Sequence, residues 1–188
     1  MRDVAQEIMS DLNHTYLEAL QQARWERPDI AALKRTAEGS WLLESHSMTA
    51  RLKRHCQDFD VDVLQVYQLT PDKLAEHEAA LIGQEACVVR EVVLKGDGKP
   101  WLCARTLMPA STLEGQGGHL HALGTEPLGQ HVFKQRASRR DAIETAHVPC
   151  LSHQLYARRS RLWLHHRPML VAELFLPNSP LYGKEAPA

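Results

Sequence analysis

The feature that most constrains this chain is a pair of alternating apolar runs that turn back on each other. Ala86 to Lys95 reads ACVVREVVLK, Gly96-Asp97-Gly98-Lys99-Pro100 follows, and Trp101 to Met108 reads WLCARTLM. Two β-rich runs around a Gly-Asp-Gly turn are the signature of a β-hairpin, because such a turn needs positive φ and these residues tolerate it. Neighbouring segments continue the pattern. Val61, Val63, Gln65, Tyr67 and Leu69 alternate with Asp62, Leu64, Val66 and Gln68, which predicts another strand. A second hairpin is expected from Tyr156 to His165, a turn near His166-Arg167-Pro168, and Met169 to Leu176; Arg139 to His147 supplies a sixth strand. Six strands joined largely by hairpins form an antiparallel sheet rather than a βαβ arrangement.

The remaining periodicity is helical. From Val4 to about Arg24, Val4, Ile8, Met9, Leu12, Leu17 and Leu20 recur at helix-like intervals, and Pro28 ends or bends the segment. A second helix is expected from Ser40 to His55, with Trp41, Leu42, Met48 and Leu52 on one face and Arg51, Lys53 and Arg54 at the C-terminal end of the dipole. Proline at the first turn predicts a short helix after Pro71, from Asp72 to Leu81. Leu113 to Phe133 reads as a glycine-rich loop leading into a short helix after Pro127, and Gly183 to Ala188 as a frayed tail. The expected fold is α+β: one domain over residues 1–188, a six-stranded antiparallel sheet with helices on one face. Residues 1–40 form a helical N-terminal extension.

Bulk properties exclude several classes. The formal net charge is −1, so nothing favours nucleic acid through overall charge. Arg158, Arg159 and Arg161 are a local cluster in a strand-like run. No apolar stretch approaches the roughly 18 residues that span a bilayer, and the polar start MRDVAQEIMSDLNH is unlike a signal peptide. Cys56, Cys87, Cys103 and Cys150 are far apart, without CxxC spacing, and read as reduced thiols of a cytoplasmic protein. Of 11 histidines, His119 with His121 and His165 beside His166 are the closest pairs. The first pair lies in a glycine-rich loop with no nearby Cys or acidic cluster, and adjacent histidines on a strand point to opposite faces, so no metal site is expected. No GxSxG, P-loop or GxGxxG is present either, and any chemistry is expected to proceed without a cofactor.

Two charges are costly unless they do something. Glu173 shares a strand face with Met169, Val171 and Phe175, and Arg90 shares one with Ala86, Val88, Val92 and Leu94. A charge on an apolar face needs a partner or a ligand. The plain reading is that Arg90 and Glu173 pair with each other, or that one lies at a sheet margin and reaches water. The sharper reading is a closed pocket in which a guanidinium holds a planar carboxylate and a glutamate holds a hydroxyl. Arg105, on a strand face with Trp101, Cys103 and Leu107, is a further candidate; its plain reading is a cross-strand salt bridge with Glu91.

Five segments then carry a family resemblance. LLESHSMTARLKRHC (Leu42 to Cys56), REVVLKGDGKPWLCARTLMP (Arg90 to Pro109), GTEPLGQHVF (Gly124 to Phe133), RRSRLW (Arg158 to Trp163) and AELFLPNSPLY (Ala172 to Tyr182) together resemble the chorismate pyruvate-lyase family of ubiquinone biosynthesis. The likeness runs in order from about Trp41 to Tyr182; the stretch before Trp41 matches poorly. The resemblance implies a six-stranded antiparallel sheet and a buried site under helical flaps. It implies a cofactor-independent lyase that takes chorismate to 4-hydroxybenzoate and pyruvate. The alternative is a non-catalytic sensor of a small aromatic carboxylate on the same fold. The site residues implied are Arg90 and Glu173 as catalytic and ligand-binding groups, Met48 from "SMT" and Leu128 from "PLG". Its expected partners are only substrate and product: no nucleic acid, no membrane span, and a monomer.

Overall fold

The computed structural model describes residues 4–114 and 138–183. Its strands are β1 (Phe59–Leu69), β2 (Cys87–Gly96), β3 (Lys99–Pro109), β4 (Ser138–Cys150), β5 (His153–Leu164) and β6 (Arg167–Phe175). All pair antiparallel in the order β1-β2-β3-β6-β5-β4. The six strands and the α+β class match the sequence reading, with ends displaced by a few residues.

The helices among the described residues are α1 (Val4–Gln21), α2 (Ile30–Leu33), α3 (Ala37–Leu42), α4 (Met48–Lys53), α5 (Glu76–Ile82) and α6 (Ala110–Glu114). They lie on both faces of the sheet, not on one as expected. Nearly every residue of β2 and β3 is buried, and strands apolar on both sides need cover on both sides. One face packs against α1 and α5. There Tyr16, Leu17 and Leu20 join Val93, Cys103, Ala157 and Leu174, while Ile82 joins Val89, Leu107 and Leu170. Asn13, Tyr16, Leu17 and Leu20 follow the i, i+3, i+4, i+7 spacing of a buried helical stripe. Val4, Ile8 and Met9, read as part of the same stripe, are exposed. Cys87, Cys103 and Cys150 are buried free thiols; burial pushes the Cys87 thiol up to about 11, so it behaves as a small hydrophobe.

The opposite face is covered by α3, α4 and α6. Trp41, Leu42, Met48 and Leu52 pack on Val92, Leu94, Ala104 and Phe175, and Leu113 packs with Met108, Leu162 and Met169. The single helix expected over Ser40–His55 is therefore two. Ser47 breaks it with extended backbone and caps α4, its hydroxyl accepting from the Ala50 amide at 3.2 Å. Thr36 caps α3 in the same way. The helix expected over Asp72–Leu81 is likewise a 3-10 turn, Pro71–Lys73, followed by α5. The helix expected after Pro127 lies outside the described residues.

The β2–β3 turn is built as the sequence demands. Asp97 and Gly98 both have positive φ, 48° and 74°. The Asp97 carboxylate accepts from the Gln57 and Asp58 amides, each at 2.9 Å, which ties the turn to the entry of β1. Beside it, a Cβ on Gly96 would lie 2.1 Å from the Trp101 ring. Gly96→Ala is therefore expected to cost about 1–3 kcal/mol by overpacking, read as a lower urea midpoint; a midpoint equal to wild type would contradict the close approach.

Candidate active site

The α3/α4-covered face carries a polar patch between its two apolar clusters. Its geometry follows from strand register. Arg90 lies opposite Thr106, which faces Val171, which faces Ser160. One step along the strands, Val92 lies opposite Ala104, which faces Glu173, which faces Arg158. Directly opposed residues in an antiparallel sheet project to the same side, so Arg90, Glu173, Arg158 and Ser160 share this face. Arg90 and Glu173 sit diagonally, two strands and two residues apart, or about 12 Å between Cα positions at ordinary strand spacing. The small side chains of Ala104 and Thr106 form the floor between them.

Glu173 is paired, but not with Arg90. Arg158 Nε donates to Glu173 Oε2 at 2.5 Å, and its Nη1 donates to the Glu44 carbonyl at 2.7 Å and the Trp41 carbonyl at 3.5 Å. Arg158 is 0% exposed and Glu173 5%. One guanidinium thus joins the sheet carboxylate to carbonyls at and just beyond the end of α3, of which that of Trp41 also accepts from the Glu44 amide at 3.2 Å. Arg51 closes the covering layer from above. It lies 3.9 Å over the Trp41 ring and donates to the Ser40 carbonyl at 2.6 Å.

Arg140 completes the patch. It projects from β4 and donates to the Ser160 hydroxyl. Burial, and then the nearby Arg158 charge, lower its pKa to about 10. Burial likewise lowers the pKa of Arg90.

The four residues expected at a site divide as follows. Arg90 and Glu173 share the buried patch. Met48 begins α4 and is buried against Val92 and Ala104, the residues beside them. Leu128 lies outside the described residues. Arg105 is on the other face. Its Nη1 lies 2.5 Å from Glu78 and its Nε 3.7 Å from Glu91, which also accepts from the Tyr67 hydroxyl at 3.1 Å. The cross-strand reading of Arg105 with Glu91 therefore holds, with Glu78 as the nearer partner. Arg158 and Arg140 are site residues beyond those expected from the sequence; the RRSRLW run that contains Arg158 is the signal that points to it. Of its neighbours, Arg159 pairs with Glu144 and Arg161 is held in a fork by Asp141.

The fold has a counterpart among solved structures. The effector domain of PhnF from Mycobacterium smegmatis superposes with a TM-score of 0.52, at 15% identity over 71% of this chain and 90% of that one. At that identity the likeness defines the fold alone. The sequence is more specific. The family model described as chorismate lyase matches residues 19–186. A probable chorismate pyruvate-lyase of Photobacterium profundum is 48% identical over 94% of this chain and 98% of its own length. The chorismate pyruvate-lyase of Pectobacterium atrosepticum is 45% identical over 77% and 79%. The chain belongs to the chorismate lyase family, and the likeness reaches back to residue 19, well before Trp41, correcting the expectation that this stretch matches poorly.

The buried pair has a measurable consequence. Arg158→Met alone is expected to cost about 3–5 kcal/mol, because it strands the Glu173 carboxylate in the core. Arg158→Met with Glu173→Leu is expected to recover most of that loss in urea unfolding; a double variant no more stable than the single one would contradict the pairing.

Proposed function

We propose that the chain cleaves chorismate into 4-hydroxybenzoate and pyruvate. The observation that carries this reading is the buried patch of a chorismate lyase family member, with Arg90 and Glu173 diagonally placed over a floor of small residues. A guanidinium recognises the ring carboxylate by a bidentate fork. The Glu173 carboxylate accepts a hydrogen bond from the ring hydroxyl. Met48, and Leu128 by family resemblance, supply apolar walls.

The reaction makes modest demands on such a site. The bond from ring C3 to the ether oxygen breaks, and its electron pair goes to that oxygen. The hydrogen on C4 leaves as a proton, the ring becomes aromatic, and the proton ends on the methylene carbon of the released enolpyruvate. The products hold all the atoms of the substrate, so no oxidant, reductant or co-substrate enters. Aromatisation drives the step, and holding the reactive conformer is the main task left to the protein. Arg158 already donates to Glu173, which favours the role of acceptor over that of acid. The product is the aromatic precursor expected in ubiquinone biosynthesis, and the finer reading is a cytoplasmic monomer with no nucleic-acid partner. No described helix is long and apolar enough to cross a membrane.

A second reading, compatible with the same fold, is a sensor that binds an aromatic carboxylate without turning it over. Incubation with chorismate, with and without EDTA, separates the two. Equal amounts of 4-hydroxybenzoate and pyruvate, unchanged by EDTA, are expected; binding of 4-hydroxybenzoate without turnover would establish the sensor instead. For Glu173, the Gln variant keeps an acceptor oxygen but no acidic proton. Its kcat is expected to fall by less than the roughly 10²-fold that a general acid supplies, and a larger fall, matching that of Glu173→Leu, would overturn the acceptor role.

A further inference from the structure

The buried patch has a second cationic side that recognition of the product alone leaves unused. Arg158 is fully enclosed, and its Nε and Nη1 are engaged by Glu173 and the α3 carbonyls. Its Nη2 is buried and has no hydrogen-bond partner among the described residues. A buried donor left unmade costs free energy, and more so on a charged group. In a guanidinium, Nη2 and Nε point from the same edge, so this donor opens beside the Glu173 carboxylate. Arg140 reaches the same region from β4, its guanidinium on the Ser160 hydroxyl, two residues along β5 from Arg158. Arg140 and Arg158 lie near enough for the charge of Arg158 to depress the pKa of Arg140. The Glu173 and Glu44 carboxylates both lie within electrostatic reach of Arg140, yet the Arg158 Nη2 donor still lacks an acceptor among the described residues, and a further anion would supply one.

The substrate class supplies one. Chorismate carries a ring carboxylate and a second carboxylate on its enolpyruvyl ether. The ether stands on the ring carbon next to the one bearing the hydroxyl. With the ring carboxylate toward Arg90 on β2 and the hydroxyl at Glu173 on β6, the ether emerges beside Glu173, and β5 and β4 lie beyond it.

We infer that Arg158 Nη2 and Arg140 form a separate carboxylate station that holds the enolpyruvyl arm of the substrate. This rests on the lyase reading above. It gives the site a built-in asymmetry: the substrate engages both stations, whereas 4-hydroxybenzoate engages only the Arg90 station. Pyruvate leaves the second station as a separate anion.

The test compares ligands with and without the second carboxylate. In Arg140→Met, KM for chorismate is expected to rise roughly 10- to 100-fold, the usual effect of losing a charge-assisted contact. The Kd for 4-hydroxybenzoate is expected to stay within about twofold of wild type, because its only carboxylate sits at Arg90. Arg140→Lys, which keeps the charge, should restore much of the chorismate KM. An equal weakening of chorismate and 4-hydroxybenzoate, or no change in either, would overturn the second station. Absence of chorismate turnover in the wild-type protein would instead overturn the lyase reading on which it rests.

Discussion

Arg158 organises the site because it meets three demands with one guanidinium. It neutralises the buried Glu173, donates to carbonyls at and just beyond the end of α3, and so pins the covering layer to the middle of the sheet. A buried ion pair of this kind is a poor source of net stability, since desolvating two charges roughly cancels their attraction. Its value here is positional. Glu173 is held on a rigid strand at a fixed place relative to Arg90, and the helices above it are tied to the same group. A site built on strands and locked by packing is more precise than one built on loops.

The rest of the fold serves that arrangement. With both faces covered, the central strands are shut off from water, and charges on them interact strongly with whatever shares the patch. Each face has a polar band between apolar clusters. On the α1/α5 face, Arg105 is held between Glu78 and Glu91 and Arg159 by Glu144. On the α3/α4 face, Arg90, Arg140, Arg158 and Glu173 share one buried patch across β2, β6, β5 and β4. The first arrangement is a network of cation–anion pairs; the second leaves the buried Arg158 Nη2 without an acceptor among the described residues.

Much of this was legible in the sequence. The strands followed from period-two patterning, the Gly-Asp-Gly turn from its residues, and Arg90 and Glu173 from the cost of charge on apolar faces. What escaped were features set by register and capping. Placing the second turn at residues 166–168 sets Glu173 opposite Arg161. The structure turns at His165-His166 instead, with Leu164 opposite Arg167, and Arg158 becomes the partner. A slip of this size changes every cross-strand neighbour. The break at Ser47 was likewise hidden, because Trp41, Leu42, Met48 and Leu52 keep a helical spacing across it; only the capping serine marks the boundary. Cover on both faces, by contrast, was implied by the continuous apolar runs of β2 and β3, but the helical segments gave no sign of which face each would take.

The most direct test of the account is a crystal structure of the protein with 4-hydroxybenzoate. The account predicts the ring over Ala104 and Thr106, its carboxylate on the Arg90 guanidinium and its hydroxyl donating to the Glu173 carboxylate, which remains paired with Arg158. A ligand bound on the opposite face at Arg105, or one seated with neither Arg90 nor Glu173 in contact, would contradict it.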